Sequence, residues 1–252
     1  MKSLYNALNM AISMFTIIPL PKYEWDEKSA RHMMKFYPII GLIIGLLWYG
    51  AFIVLDKLQC SVMLSSAILM AVPFVLTGFL HLDGFMDVCD ALLSRRPKED
   101  KLKILKDSRV GAFSVISLVL VFIIEFSAIN TILVKESNMI FLILIPVISR
   151  SIVAYLLITK EMISESYLGK LFKAGTGTFD KVLVLSFYFT AIIISFILIK
   201  SIGIVIPLVM GLLAFLLVRN TEKELGGING DVAGYILVLT EFVGLIALGI
   251  IK

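Results

Sequence analysis

Seven apolar stretches, at about 36–57, 60–82, 111–134, 138–158, 182–199, 202–218 and 234–251, limit what this chain can fold into. A helix needs roughly 20 apolar residues to cross about 30 Å of hydrocarbon; five stretches meet this comfortably and the last two only just. In lipid, each span must satisfy its own backbone hydrogen bonds, which selects helices. Hydrophobic residues make up 59% of the 252, against about 45–50% in soluble globular chains. The expectation is an all-α polytopic membrane bundle of about seven spans, forming one integral membrane domain over residues 1–252. Residues 3–19 are apolar too, but they carry Asn6 and Asn9 and lead into Pro19-Leu20-Pro21. Only Lys2 precedes them and no small-residue cleavage site follows, so they read as an interfacial or re-entrant helix rather than a signal peptide. Cys60 and Cys89 are expected on opposite sides of the membrane, which argues against a disulfide.

The basic residues orient the bundle. One set of loops holds 18 Lys and Arg, including Lys22, Lys28, Arg31, Lys35, the run from Arg95 to Arg109, Lys160, Lys170, Lys173, Arg219 and Lys223. The other set holds only Lys57, Lys135, Lys200 and Lys252. By the positive-inside rule the first set is cytoplasmic. The expected location is the cell (inner) membrane, multi-pass, with the long polar loops inside. The net charge of +4 then reflects this bias and anionic lipid headgroups, with no nucleic-acid partner required.

Chemistry concentrates in 81–111, HLDGFMDVCDALLSRRPKEDKLKILKDSRVG. Asp83, Asp87 and Asp90 stand at i, i+4 and i+7. They share one helical face if the helix of the second span runs on through them. Like charges so placed repel unless water or a cation offsets them, and hard oxygen ligands suit Mg²⁺. A plain solvated acidic face is the competing reading. His81 is a candidate ligand or an interfacial hydrogen-bonding residue, and Gly84 permits close approach of a ligand or a helix. Arg95 and Arg96 follow, with the bidentate geometry that suits phosphate; Lys98, Lys101 and Lys103 read as ordinary surface. Within Lys106-Asp107-Ser108-Arg109, Asp107 is a further candidate metal ligand, Ser108 a candidate substrate contact, and Arg109 either the partner of Asp107 or a phosphate contact.

A second cluster, Gly226-Gly227-Ile228-Asn229-Gly230-Asp231, precedes the last span. Its glycines let backbone approach a phosphate and the following helix N-terminus adds N–H donors, with Asp231 a candidate ligand or base; a flexible turn is the alternative. No Gly-Lys-Ser/Thr follows, so it is not a nucleotide-binding P-loop. Glu125, Arg150 and Glu241 fall inside spans, where ionisable residues face the bundle interior, and Arg150 could pair with either Glu. Gly41 and Gly45 form a small-xxx-small helix contact.

These segments together resemble the adenosylcobinamide-GDP ribazoletransferase (cobalamin 5′-phosphate synthase) family almost end to end. The resemblance is carried by FTIIPLP at 15–21, Tyr37-Pro38-Ile39-Ile40-Gly41 with Gly45, HLDGFMDVCD at 81–90 and KDSRVGAF at 106–113. Ser149-Arg150, GGINGD at 226–231, Gly234 and Glu241 extend it. Ala91, Ser114 and Asn229 stand where the family usually has Gly, Gly and Thr; Asn229 keeps a side-chain oxygen. The resemblance implies a Mg²⁺-dependent reaction in which a ribose hydroxyl of α-ribazole, or of its 5′-phosphate, attacks the diphosphate of adenosylcobinamide-GDP and releases GMP. On that reading Asp83, Asp87, Asp90, Asp107 and Asp231 serve the metal. Arg95, Arg96, Ser108, Gly226, Gly227, Asn229 and Gly230 serve the substrate, and Arg109 with Asp90 or Asp231 the chemistry. Membrane lipid is the surrounding partner, and oligomerisation is left open. Two alternatives are a CDP-alcohol phosphotransferase-like lipid enzyme, which lacks its D-xx-DG-xx-AR pattern here, and a transporter, which would concentrate charge at the midplane.

Overall fold

A computed structural model describes residues 2–20, 25–163 and 166–251; of the residues named above, Pro21, Lys22 and Lys252 lie outside them. The described chain forms α1 (Lys2–Phe15), α2 (Glu27–Ala30), a 3₁₀ turn (Met33–Phe36), α3 (Tyr37–Lys57), α4 (Val62–Leu76), α5 (Leu80–Leu93) and α6 (Lys98–Ile104). These are followed by α7 (Ala112–Val134), α8 (Phe141–Thr159), α9 (Tyr167–Ala174), α10 (Thr178–Gly203), α11 (Val205–Glu224) and α12 (Gly230–Ile250). Among the described residues six helices are long and apolar enough to cross a membrane, and α4 with α5, a pair bent by 92°, brings the number to seven if the pair counts as one broken span. The chain is a multi-pass helical membrane protein.

The bent pair corrects the sequence reading, in which the helix of the second span continues into the acidic segment. Gly78 and Phe79 both take left-handed backbone angles, φ +58° and +62°. The Phe79 amide donates to the Phe74 carbonyl at 2.9 Å, a closure that satisfies the last carbonyls of α4 and stops it. The chain restarts as α5, so Asp83, Asp87 and Asp90 still share one helix, but a separately aimed one. The 14 residues of α1 are too short to cross, as expected of an interfacial segment, and α1 packs beside α2 and the 3₁₀ turn.

The spans are ordered by burial. In α8, 83% of the membrane-length window is buried, against 22% in α7 and 17% in α10; α8 is the axis and the other two are rim. Lipid supplies no hydrophobic drive between helices, so close backbone contact must hold them. Gly41 and Gly45 allow it: a Cβ there would lie 2.3 Å from the Pro146 carbonyl oxygen and 2.6 Å from Ile143 Cα. Deep in this region Arg150 donates to Glu241 Oε1 at 2.6 Å, and Ser149 Oγ donates to the same oxygen at 2.7 Å. Of the two acids the sequence offered, Arg150 pairs with Glu241; Glu125 is buried separately on α7.

A polar layer closes one end of the bundle. There the Lys35 ammonium meets Asp180 at 2.9 Å and the Tyr167 hydroxyl donates to Glu27, tying the start of α10 to the 3₁₀ turn and α9 to α2. Lys101, read from sequence as surface, is buried and pairs with Glu224 at the end of α11. The sequence pattern showed only a basic loop; what turned Lys101 inward was an acid 123 residues away.

Candidate active site

In that layer α5 and α12 touch backbone to backbone. A Cβ on Gly84 would stand 2.7 Å from Asp231 Cα, and one on Gly234 would stand 2.9 Å from the His81 carbonyl oxygen. Glycine at both positions permits the crossing, and it joins the two acidic segments. Asp83 and Asp87, on one face of α5, are brought beside Asp231 in the first turn of α12. Asp87 lies within electrostatic reach of Asp83, Asp90 and Asp231 together.

Two cavities meet at this crossing. The smaller, about 270 Å³, is lined by Asp83, Asp87, Asp90 and the 105–110 loop, including Ser108 and Arg109. The larger, about 460 Å³, is lined by Asn229, Gly230 and Asp231 on one side and by apolar residues of α1, α3 and α9 on the other. Asp83, Leu105 and Lys106 line both, and so mark their junction.

Other candidates have local work. Asp90 accepts from the Gly111 amide at 2.6 Å and the Ser114 amide at 3.0 Å. It therefore caps the N-terminus of α7, where a carboxylate also meets the positive end of the helix dipole. Asp107 takes a bidentate pair from Arg109, Nε at 3.0 Å and Nη2 at 2.6 Å. That hydrogen-bonded guanidinium holds its carboxyl down to about 2. Arg95 and Arg96 are exposed in the turn after α5 and line neither cavity.

The glycine cluster divides in two. Gly226 and Gly227 have φ of +88° and +155°; Gly226 lies against the Lys98 ammonium and Gly227 against the 161–163 backbone. The Ile228 amide and carbonyl bond to that strand-like segment at 3.0 and 2.9 Å. These residues fasten the loop and do not face the cavity. Asn229 caps α12 by accepting from the Val232 amide at 2.9 Å, and its Nδ2 donates to Asp231 Oδ2 at 2.7 Å. Gly230 has open space where a side chain would be.

Among the described residues no three His, Cys, Asp or Glu side chains converge on one point in this conformation. The donors nevertheless fit magnesium in kind: oxygen only, carboxylates on two touching helices, at the junction of two cavities. Mg²⁺ beside a phosphate substrate is ordinarily held by one or two carboxylates, with phosphate and water oxygens completing its shell.

A family model described as cobalamin-5-phosphate synthase matches residues 7–249. The chain belongs to the cobalamin-5-phosphate synthase family. Its relatives include proteins named adenosylcobinamide-GDP ribazoletransferase from Clostridium perfringens (strain SM101 / Type A), 57% identical with 100% of each chain covered. Others are from Clostridium botulinum (strain Alaska E43 / Type E3), 52% identical over 97% of each, and from Geotalea daltonii, 32% identical over 95% of each. No solved structure matches the chain. As a member of this family the chain is an enzyme, a transferase of cobalamin synthesis, which sets aside the lipid-enzyme and transporter alternatives.

What sequence reasoning missed in this family member is the larger cavity. Its walls come from helices with no polar signature: Phe15 in α1, Tyr37 at the start of α3, Leu168 and Phe172 in α9. A signal existed in α9, where Leu168, Leu171 and Phe172 repeat at i, i+3 and i+4, the pattern of an amphipathic helix lying on a core. His81, a candidate ligand from sequence, is buried on the cavity wall and shares a hydrogen bond of 3.2 Å with the Tyr37 hydroxyl.

Proposed function

We propose that the enzyme joins adenosylcobinamide-GDP to α-ribazole, or to its 5′-phosphate, releasing GMP. The observation that carries this reading is the glycine crossing that sets Asp83 and Asp87 beside Asp231 where a polar and an apolar cavity meet. An attacking ribose oxygen bonds to the phosphorus on the corrinoid side, the bond from that phosphorus to the GMP oxygen breaks, and GMP leaves as a phosphate monoester. Asp231 receives the hydroxyl proton; it stands on the wall of the larger cavity, oriented by the Asn229 amide. Lys106, at the junction, offsets phosphate charge. Gly230, with open space beside it, opens α12, and the N-terminal end of that helix favours the same anion. Asp83 and Asp87 are the residues that would hold Mg²⁺, which supplies charge neutralisation of the diphosphate and of departing GMP when bound. Asp90 serves through α7 rather than at the reacting atoms, which leaves the base role to Asp231.

The reaction side faces the cytoplasm of the cell membrane on this proposal. The support is the 18-to-4 basic asymmetry under the positive-inside rule. Single cysteines introduced at Lys98 and Lys223 should resist external labelling in intact cells, and ready labelling would invert the orientation. For the reaction itself, purified protein should release GMP from adenosylcobinamide-GDP only with α-ribazole or its phosphate present, and EDTA should stop release. GMP release that ignores the acceptor, or that survives chelation, would defeat the proposal.

A further inference from the structure

The reaction proposed above brings two different bases to one enzyme, guanine on the leaving side and benzimidazole on the acceptor. They differ in what a protein must offer them. Guanine presents several donors and acceptors on its edges, and burying them without partners is costly. The base of α-ribazole is a bicyclic ring with two methyl groups, no N–H of its own once joined to ribose, and a single ring-nitrogen acceptor. It suits a wall of aromatic and aliphatic carbon.

The larger cavity has such a wall. Phe15 and Tyr37 lie with ring centroids 4.6 Å apart, and the Phe15 and His81 rings are 6.3 Å apart and near parallel at 20°. Leu157, Leu168 and Phe172 continue the surface. The charged groups, Asp83, Lys106 and Asp231, gather instead at the side where the acidic cavity begins. A volume of about 460 Å³ falls within the ~300–1,000 Å³ of small-molecule pockets; it suits a nucleoside and leaves a corrin macrocycle outside. We propose that this cavity, walled by α1, α3 and α9, is the seat of the acceptor's benzimidazole base. It rests on the transfer reaction proposed above. A base held there sets its ribose at the junction, with a hydroxyl beside Asp231 and the diphosphate reached through the acidic cleft. The apolar helices α1 and α9 are then the specificity elements of the enzyme, although its acidic and glycine-rich motifs lie elsewhere.

The test uses the full chain in detergent, with steady-state kinetics in each substrate and equilibrium dialysis of α-ribazole and of GMP. Leu168→Trp fills the cavity from a half-buried position. It should raise KM for α-ribazole by about 10-fold or more, the scale of a steric mismatch in an apolar pocket, and leave KM for adenosylcobinamide-GDP within about 2-fold. Phe172→Leu keeps the wall apolar but removes a ring face, and should raise only the α-ribazole KM, by about 3-fold or more. Dialysis should show weaker α-ribazole binding with unchanged GMP binding in both, provided the variants elute as the parent does. If the adenosylcobinamide-GDP KM or GMP binding changes instead, the cavity holds the nucleotide half and the inference is overturned. It is equally overturned if both variants leave α-ribazole binding and KM at the parent values while GMP is still released. Parent protein that binds α-ribazole through these residues yet never releases GMP would sink the transfer reaction and leave the base site standing.

Discussion

The chain uses one steric device twice, with different results. At the α3–α8 contact, Gly41 and Gly45 bring two helices together deep in the bundle, against Pro146 and Ile143. At the α5–α12 contact, Gly84 and Gly234 do the same at the polar end, against Asp231 and His81. The first contact rests on the Pro146 carbonyl, which also accepts from Ser149 and Arg150; those groups are already paired inside the bundle, and its glycines hold the fold. The second is flanked by Asp83, Asp87 and Asp231, so the closeness that makes a good helix contact also gathers the carboxylates of the proposed site. A glycine in a membrane helix therefore has no fixed meaning; depth and the residues one position away decide what the approach is for.

The largest expected effect tests the second contact as chemistry. Asp→Asn at Asp83, Asp87 or Asp231 keeps size and removes a charge, and each should lower turnover by about 10²-fold or more. Double substitutions should cost less than the product of the singles, since groups acting as a unit are not additive. GMP release is the readout; wild-type turnover in Asp231→Asn would reduce the α5–α12 crossing to a packing feature.

Exchanging the device between the two places comes next. Gly45→Leu should lower the yield of folded protein in detergent, while the surviving fraction keeps its affinity for GMP. Gly84→Ala should do the reverse, because its new Cβ pushes on the Asp231 backbone. Turnover should fall by about 10-fold, the scale of a small displacement of positioned groups, with yield largely kept. Normal yield with abolished GMP binding in Gly45→Leu would show that the deep contact shapes the site too.

Smaller effects separate the site from its supports. Asp90→Ala removes the cap of α7 and should cost about 1 kcal/mol of stability, read as a lower unfolding temperature. Asp107 gives a pH expectation. Its carboxyl is held down to about 2 by the hydrogen bonds from Arg109. A depressed carboxyl contributes to stability above its unfolded value, 3.8, and loses that contribution as pH falls through the folded one. The Asp107–Arg109 pair should therefore be intact across pH 5–9, and Asp107→Asn should leave the shape of the pH–rate profile unchanged there. A new inflection in that range would place Asp107 in the reaction. Asp100, exposed and paired with Lys103 at 2.9 Å, should be nearly silent as Asn.

Much of the candidate site was legible because its residues are strange for where they stand. Three carboxylates on one face beside a membrane, and an aspartate opening the last span, are unusual in sequence, and both segments reach the crossing; Gly226 and Gly227 serve the positive-φ turn of the loop instead. Arg95 and Arg96 stand apart from both cavities. A phosphate-binding residue and a positive-inside loop residue look identical in sequence, and the left-handed turn at Arg95, φ +54°, leaves both arginines in solvent. Asp90 shared the pattern of its neighbours but found two free amides at Gly111 and Ser114.

The sequence by itself determined which segments are apolar enough to enter the membrane, that they are helices, and which loops make the polar end of the bundle. Each of these follows from transfer free energies that act residue by residue along the chain. Tertiary structure alone decided that Arg150 meets Glu241 rather than Glu125, that the second span breaks at Gly78-Phe79, that Asp90 caps a helix while Asp83 and Asp87 face Asp231, and that α1 and α9 wall a cavity. Those outcomes depend on which helix faces come together, and that is set by close contacts between residues far apart in the chain, such as Gly234 with His81 and Gly84 with Asp231, which no local pattern encodes.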